Sequence, residues 1–402
     1  MYNLFCRIFQ FIMKYSAYVL PWRKPALIEG ENCILNLPGR IKEKGIKSVL
    51  LVTDKGISSI GLMNPLMAAL KDIGIQVTMY DKTVPNPTID NIEEALVVYK
   101  ENKCAGLIAF GGGSAMDCAK GVGARAARPR TSIKRMKGLL KIWFRLPPLY
   151  AVPTTAGSGS EATVAAVIVD SQTHEKYAMM DPVLIPLEAV LDPVLTVKLP
   201  PAVTAATGMD ALTHAVEAYI GRSNTRETRE MARKAVELIF ENLYAAYENG
   251  ADIKARANMQ RAAYYAGIAF TRAYVGNVHA IAHTLGGMYD VPHGLANAVI
   301  LPYVLDDYGE SAYKPLAELA DIVKLPGNTT ELKAKAFIES VRKMNERMGI
   351  PTTIDGIKEE DIPIMVKRAF HEANPSYPVP RIFTRKDFTG VYHRLMGKSA
   401  VN

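Results

Sequence analysis

AGLIAFGGGSAMDCAK, residues 105–120, opens with an apolar run of strand length, turns through Gly111, Gly112 and Gly113, and continues into a helix. Three glycines let the backbone approach a phosphate, and the first turn of the following helix offers free N–H groups at the positive end of its dipole. The spacing is neither GxGxxG nor a Walker motif, so a plain strand-to-helix turn is the alternative reading. The same alternation recurs on both sides of this stretch. SVLLVTD (48–54), IQVTMYD (75–81), LYAVPTT (149–155) and AVIVD (166–170) read as buried strands, with helices such as 64–73 and 89–102 between them. Strand and helix in alternation predict a mostly parallel sheet covered by helices, which binds ligands at the carboxyl ends of its strands.

After Leu199-Pro200-Pro201 the character changes. Helical periodicity runs through 202–220, 225–248, 253–272, 276–288, 311–323, 330–348 and 359–371, and nothing there reads as a strand. The expected organisation is an apolar extension over 1–24, an α/β domain over 25–200 and an all-helical domain over 201–402.

Composition agrees with a globular protein of about two domains: 402 residues, 49% hydrophobic and 22% charged, which excludes disordered and fibrous classes. Cys6, Cys33, Cys104 and Cys118 have no CxxC spacing, so neither a disulfide framework nor a cysteine-zinc site fits, and a cytoplasmic location is expected. The net charge of +8 resides in residues 121–146, where eight Lys and Arg meet no acid. Aromatic interleaving over several elements is missing, so no nucleic-acid partner is expected.

Residues 1–20 are apolar but interrupted by Asn3, Arg7, Gln10 and Lys14, which form one polar stripe on a helix. Those charges argue against a membrane span, and no signal peptide is expected. Two readings remain: a helix packed on its own domain or on a partner subunit, and an interfacial membrane helix aided by Arg23, Lys24 and the 121–146 run.

PTTAGSGSE (153–161) is a second loop of small hydroxyl and glycine residues after a strand; helix capping is its simpler explanation. Two such loops at successive strand ends suggest a shared nucleotide cradle. Asp54, ending LLVTD, can accept hydrogen bonds from the adenosine ribose hydroxyls of NAD and would repel the 2′-phosphate of NADP. The histidines add a metal. Of seven in the chain, His214, His279, His283 and His293 lie in GMDALTHAVEAY, VHAIAHTLGG and VPHG, with Asp210/His214 and His279/His283 both spaced i, i+4 on a helix face. Aspartate plus histidines suits Fe²⁺ or Zn²⁺ with a position open to a substrate oxygen.

VTDKG, VPNPT, GGGSAMDCAK, PTTAGSGSE, TGMDALTHAVEAY and HAIAHTLGG followed by PHGLANAVILP occur in the order found in the iron-containing (type III) alcohol dehydrogenases, which the chain resembles over residues 27–395. The resemblance implies a Rossmann-like amino-terminal domain, an all-α metal-binding domain (the dehydroquinate synthase-like fold), a cofactor in the cleft between them, and a homodimer or larger homo-oligomer. It implies Asp210, His214, His279 and His293 as metal ligands, with His283 close by but not a ligand. It implies Asp54, Asn86, Gly111, Gly112, Gly113, Ser114, Asp117, Thr154, Thr155, Ser158 and Lys176 as cofactor contacts. Ser158 replaces a common threonine, and AFTRAYVG (269–276) replaces AFSNAGVG. Arg272 therefore either selects a substrate bearing a carboxylate or several hydroxyls, or turns away into an ion pair.

The expected reaction is reversible hydride transfer between a primary alcohol, diol or hydroxy acid and nicotinamide, with the metal as Lewis acid and His283, or a water held by the metal, carrying the proton. The competing enzyme reading is an NAD- and metal-dependent lyase of the dehydroquinate synthase type, with no net redox change. A membrane-surface or scaffold protein with a vestigial enzyme fold is the third reading, resting on 1–24 and 121–146.

Overall fold

Val49 and Leu51 point to one side of their strand and Leu50 and Val52 to the other, and all four are buried. Such a strand needs a sheet covered on both faces. The computed structural model, which describes residues 1–17 and 20–398, contains that sheet. Its elements run α1 (Tyr2–Ser16), β1 (Ala26–Glu29), α2 (Leu37–Glu43), β2 (Ser48–Val52), α3 (Lys55–Ser59), α4 (Asn64–Asp72), β3 (Gln76–Tyr80), α5 (Ile89–Glu101), β4 (Gly106–Gly111), α6 (Gly113–Ala127), β5 (Gly138–Leu139), β6 (Leu149–Pro153), β7 (Ala165–Asp170), β8 (Glu175–Met180) and β9 (Glu188–Leu191). There follow α7 (Pro201–Ile220), α8 (Arg226–Glu248), α9 (Ile253–Ala273), α10 (Asn277–Tyr289), α11 (His293–Tyr308), α12 (Glu310–Ile322), α13 (Thr330–Arg347), α14 (Ile362–Ala373) and α15 (Arg385–Leu395). Among the described residues this carboxyl-terminal run contains no strand.

The chain divides into two units. One comprises Pro21–Leu199 with Gly250–Tyr264. Its six-stranded sheet, ordered β1-β9-β6-β4-β2-β3, is parallel throughout. Leu50 and Val52 join Ile92 and Leu96 of α5 and Met116 and Val122 of α6 in one core. Val49 and Leu51 join Leu37 and Ile41 of α2 and Leu66 and Leu70 of α4 in the other. The result is a doubly wound, Rossmann-like α/β unit.

AVIVD departs from expectation: β7 is not in the parallel sheet but pairs antiparallel with β8, in a three-stranded sheet ordered β5-β8-β7. The parallel sheet is completed instead by β1 and β9, two four-residue strands too short to stand out as apolar runs. The first half of α9 also belongs to this unit, where Gln260 Nε2 donates to the carbonyls of Pro153 and Asp192 and Arg261 pairs with Glu29.

The other unit, Met1–Leu20, Pro200–Asn249 and Tyr265–Asn402, has helices and no strand among the described residues. Pro201 in the first turn starts α7, where its missing N–H leaves no orphan. Fifteen of the twenty α7 residues are buried, as expected of a helix apolar on every side. α1 packs with Arg7, Gln10 and Lys14 of its polar stripe inward, while Asn3 is exposed. Arg7 donates to the carbonyls of Val379 and Pro380, Gln10 Nε2 to those of Pro375 and Tyr377, and Lys14 to that of Arg222. Leu4, Phe5, Ile8, Phe11 and Ile12 are left exposed. Residues 18 and 19 of the expected extension lie outside the described residues. Among the described residues no helix is long and apolar enough to cross a membrane.

Candidate active site

Three helices of the helical unit supply the titratable cluster. On α7, Asp210, His214 and Glu217 stand at i, i+4 and i+7, one face of the helix. On α10, His279 and His283 stand one turn apart, and on α11 His293 and Asn297 do the same. Gly294 brings α11 against α7: a Cβ there would lie 2.5 Å from the Ala206 carbonyl oxygen and 3.4 Å from Asp210 Cβ.

One ligand atom from each of Asp210, His214, His279 and His293 lies within 4.8 Å of all the others. The His214 and His279 rings stack at 4.5 Å, and Phe270 covers the other side of His214 at 4.2 Å. Asn297 Nδ2 sits among the donor atoms, 2.7 Å from Asp210 Oδ1, 3.1 Å from His279 Nε2 and 3.2 Å from His293 Nε2. Acceptors that converge on one N–H donor have their lone pairs aimed inward, as a cation requires, and an oxygen with three imidazole nitrogens suits Fe²⁺ or Zn²⁺. The residues present therefore fit a divalent metal. The Asp210 and His279 side chains are 6% and 2% exposed and that of His293 is 26%, so the cluster opens on the His293 side.

The outer side of His279 is held by Glu217. Its Oε2 lies 2.6 Å from His279 Nδ1 and accepts from Gly276 N at 2.8 Å, while Oε1 accepts from Val278 N at 2.9 Å. Burial pushes the Glu217 carboxyl up to about 7, against the pull of these donors. With Nδ1 donating to the carboxylate, Nε2 turns toward the cluster as an acceptor. His283 stacks on His293 at 5.3 Å, but its Nδ1 meets Glu372 Oε1 at 2.6 Å. The Tyr377 hydroxyl donates to the same Glu372 oxygen at 2.8 Å. Arg272 pairs with Glu227 at 3.3 Å, the ion-pair alternative for that residue. Tyr274 takes a left-handed backbone with φ +67°, uncommon for a bulky side chain.

The sheet unit brings together the loops at the carboxyl ends of β2, β4 and β6. Asp54 caps α3, accepting from Ile57 N at 3.0 Å, and its Oδ2 is 3.6 Å from where a Gly111 Cβ would stand. Gly111 has φ +152°, open to glycine alone, and its missing Cβ would clash with Ala115 at 2.8 Å. Gly113 packs on Ser158 and Gly112 on Thr155, where Cβ atoms would meet those side chains at 3.0 and 3.4 Å. No side chain caps the amino end of α6, where Gly113 and Ser114 form the first turn, so its N–H groups suit a phosphate. Thr154 is buried, and its backbone N–H bonds to the Gly111 carbonyl at 3.0 Å. Lys176 donates to Asn86 Oδ1 at 2.8 Å, and Asn86 has φ +56°. Asp117 commits both carboxylate oxygens within the chain, to Ser160 Oγ at 2.8 Å and Val167 N at 3.1 Å. The grouping of acid, glycine turn and uncapped helix end fits a dinucleotide.

Sequence reasoning missed several residues. Lys120 is fully buried on α6 and donates to Ser160 O, Ser160 Oγ, Thr163 O, Thr163 Oγ1 and Ala165 O at 2.7–3.1 Å. Burial lowers its ammonium to about 8, and it pins the 153–161 loop against α6. Glu217 and Asn297 share helix faces with recognised residues, which is no metal signal by itself. Glu372 and Tyr377 had no local signal.

The family model described as "Iron-containing alcohol dehydrogenase" matches residues 25–193, and that described as "Fe-containing alcohol dehydrogenase family, C-terminal" matches 204–396. The chain is 38% identical over 377 residues to the 1,3-propanediol dehydrogenase of Klebsiella pneumoniae, covering 91% of this chain and 95% of the relative. It is 36% identical over 371 residues to the NAD-dependent methanol dehydrogenase of Bacillus methanolicus, covering 91% and 97%. Among solved structures, a 1,3-propanediol oxidoreductase superposes with a TM-score of 0.89 at 35% identity, covering 94% of this chain and all of the other.

Proposed function

The chain belongs to the iron-containing alcohol dehydrogenase family, and from that premise we propose that Asp210, His214, His279 and His293 hold its metal and that His283 moves the proton. It is an oxidoreductase acting on CH–OH groups with NAD and a divalent metal. The observation that supports the residue assignment is the convergence of four donor atoms within 4.8 Å on three helices. The glycine turn at Gly111, Gly112 and Gly113, with Ser114, Thr154, Thr155 and Ser158, would hold the pyrophosphate, and Asp54 would hold the adenosine ribose. Asn86 and Lys176 complete the cofactor contacts, and Asp117 shapes the cradle from beneath.

When bound, the cation supplies Lewis acidity to the substrate oxygen and NAD supplies the hydride acceptor. The chain does the rest. Glu217 fixes the His279 ring, and Phe270 shields the His214 ring from water. Glu372 keeps the Nδ1 proton on His283, leaving Nε2 to take the alcohol proton or return it. The substrate is a small primary alcohol, diol or hydroxy acid; the two relatives act, by name, on a three-carbon diol and on methanol. The working form is a cytoplasmic homodimer or an assembly of dimers. A lyase of the dehydroquinate synthase type is not favoured, because the relatives are dehydrogenases by name.

The test is NADH formation by chelator-stripped protein from a panel of alcohols, diols and hydroxy acids, with Fe²⁺, Zn²⁺ or Mn²⁺ restored anaerobically and NADP⁺ in parallel. Metal-dependent NADH release is expected. His279→Ala should lose both metal and turnover, and His283→Ala should keep the metal and lose mainly rate. A metal-free His283→Ala protein would overturn the ligand assignment.

A further inference from the structure

We propose that this chain docks on an anionic lipid bilayer through the outward face of α1; the Trp143–Phe144 tip of the sheet unit is a separate lipid-facing feature, tested on its own. An amphipathic helix in water ordinarily buries its apolar stripe and exposes its charges. α1 does the reverse. Arg7, Gln10 and Lys14 hold the helical unit through backbone carbonyls. Leu4, Phe5, Ile8, Phe11, Ile12 and Tyr15 are each 52–65% exposed along one face about 17 Å long. With Arg7, Gln10 and Lys14 committed inward, the outward face is apolar between Asn3 and Ser16, which are exposed near its two ends.

Charge around this face selects the occupant. The first 28 residues hold no acid. At the amino end of α1, Tyr2 stacks on Phe370 at 5.6 Å and the Arg385 guanidinium lies over Phe370 at 4.8 Å. Lys386 and Lys367 stand exposed on the same α15 and α14. The nearby acids are engaged, Asp387 by Thr384 and Arg381 and Glu372 by His283 and Tyr377. An apolar face rimmed by cations matches the acyl boundary and headgroups of an anionic leaflet.

The sheet unit carries a second such feature, independently built. In KIWFR (141–145), Ile142 is buried, while Trp143 and Phe144 are 62% and 58% exposed. The Asp181 carboxylate accepts from both Ile142 N and Trp143 N at 3.0 Å, and Trp143 is held at φ +60°. Arg128 lies over the Phe144 ring at 5.4 Å, and Lys141 and Arg145 flank the pair. A turn fixed so as to push a tryptophan outward amid cations is suited to the bilayer interface.

A second copy of the chain suits these faces less well. A two-fold contact would set each cationic rim against itself, and α1 offers six side chains where a stable interface takes about 20–30 residues on each side.

The experiment is cosedimentation of the full chain with vesicles of phosphatidylcholine alone and of phosphatidylcholine mixed with phosphatidylglycerol. The variants are F5S/I8S/F11S and W143S/F144S, which leave Arg7, Gln10, Lys14 and every proposed catalytic residue in place. Binding to the mixed vesicles is expected, falling with salt, with partitioning about 100-fold weaker for the α1 variant and about tenfold weaker for the tip variant. Dehydrogenase turnover without vesicles should stay at the parent value, showing that the variants fold. A parent protein left in the supernatant, equal pelleting of parent and α1 variant, or equal binding to both vesicle types overturns the proposal. So does an α1 variant whose native mass falls in vesicle-free buffer, which would make a second copy the occupant.

Discussion

Replacing Glu217 by Gln isolates what the buried carboxylate does for the metal centre. Three N–H groups converge on its two oxygens, from His279 Nδ1, Gly276 and Val278. Glutamine has one carbonyl oxygen and one NH₂. In its better orientation the oxygen keeps the His279 and Gly276 bonds, and the NH₂ faces the Val278 N–H, donor against donor, at what was a 2.9 Å bond. The lost charged hydrogen bond and the buried unsatisfied donor together cost about 2–4 kcal/mol of stability. His279 also exchanges a charged partner for a neutral one, which lowers the basicity of its inner nitrogen. Removing such a supporting carboxylate weakens metal affinity by about 10–100-fold. Urea unfolding of the metal-stripped protein reads the first effect, and titration with Zn²⁺ or Fe²⁺ against a competing chelator reads the second. A Glu217→Gln protein that binds metal within about twofold of the parent would refute the claim that the charge of this carboxylate strengthens His279 as a ligand.

Gly294→Ala puts a methyl 2.5 Å from a backbone oxygen of α7; α11 should shift outward with His293, costing about 1–3 kcal/mol by urea unfolding and weakening metal binding in the same titration. Glu161, raised by burial from 4.5 to about 7, holds its proton longer in the folded state than in the unfolded chain. Its stabilising contribution is therefore complete below about pH 4.5 and lost as pH rises through about 7, a change of about 3 kcal/mol that Glu161→Gln should flatten in unfolding curves across that window. Because Arg272 is tied to Glu227, Arg272→Ala should leave the kcat/KM ratio between hydroxy acids and neutral alcohols within about threefold of the parent; a selective loss on hydroxy acids would restore its substrate-selecting role.

The helical unit was readable where chemistry repeats at helical spacing. Asp210/His214 and His279/His283 announce themselves as polar pairs in otherwise apolar runs. Glu217 completes the same α7 face, but a glutamate one turn beyond a histidine on a helix is common and carries no metal signal by itself. Glu372 and Tyr377 could not be found this way, since their tie to His283 spans about 90 residues of chain and leaves no local period. Strand existence was legible from apolar runs, but pairing was not: nothing in AVIVD distinguishes a parallel neighbour from the antiparallel β8 it joins. α9 reads as one helix, and no feature of its sequence tells that Gly250–Tyr264 clusters with the sheet unit. For α1 the polar stripe was visible, yet which side faced the protein depended on the backbone carbonyls of 375–380 waiting for it.

Those carbonyls tie the amino-terminal helix to the candidate site as well as to its own unit. Gln10 holds the backbone of Tyr377, whose hydroxyl steadies Glu372, which in turn sets the His283 tautomer. The first helix, which precedes the family match beginning at residue 25, is thus two hydrogen bonds from the carboxylate that tunes the proposed proton carrier. Trimming the chain to its family boundary should leave the proposed ligand quartet intact and loosen the proposed proton relay. Such an enzyme would keep its metal and turn over more slowly, a fault that metal content alone would not reveal.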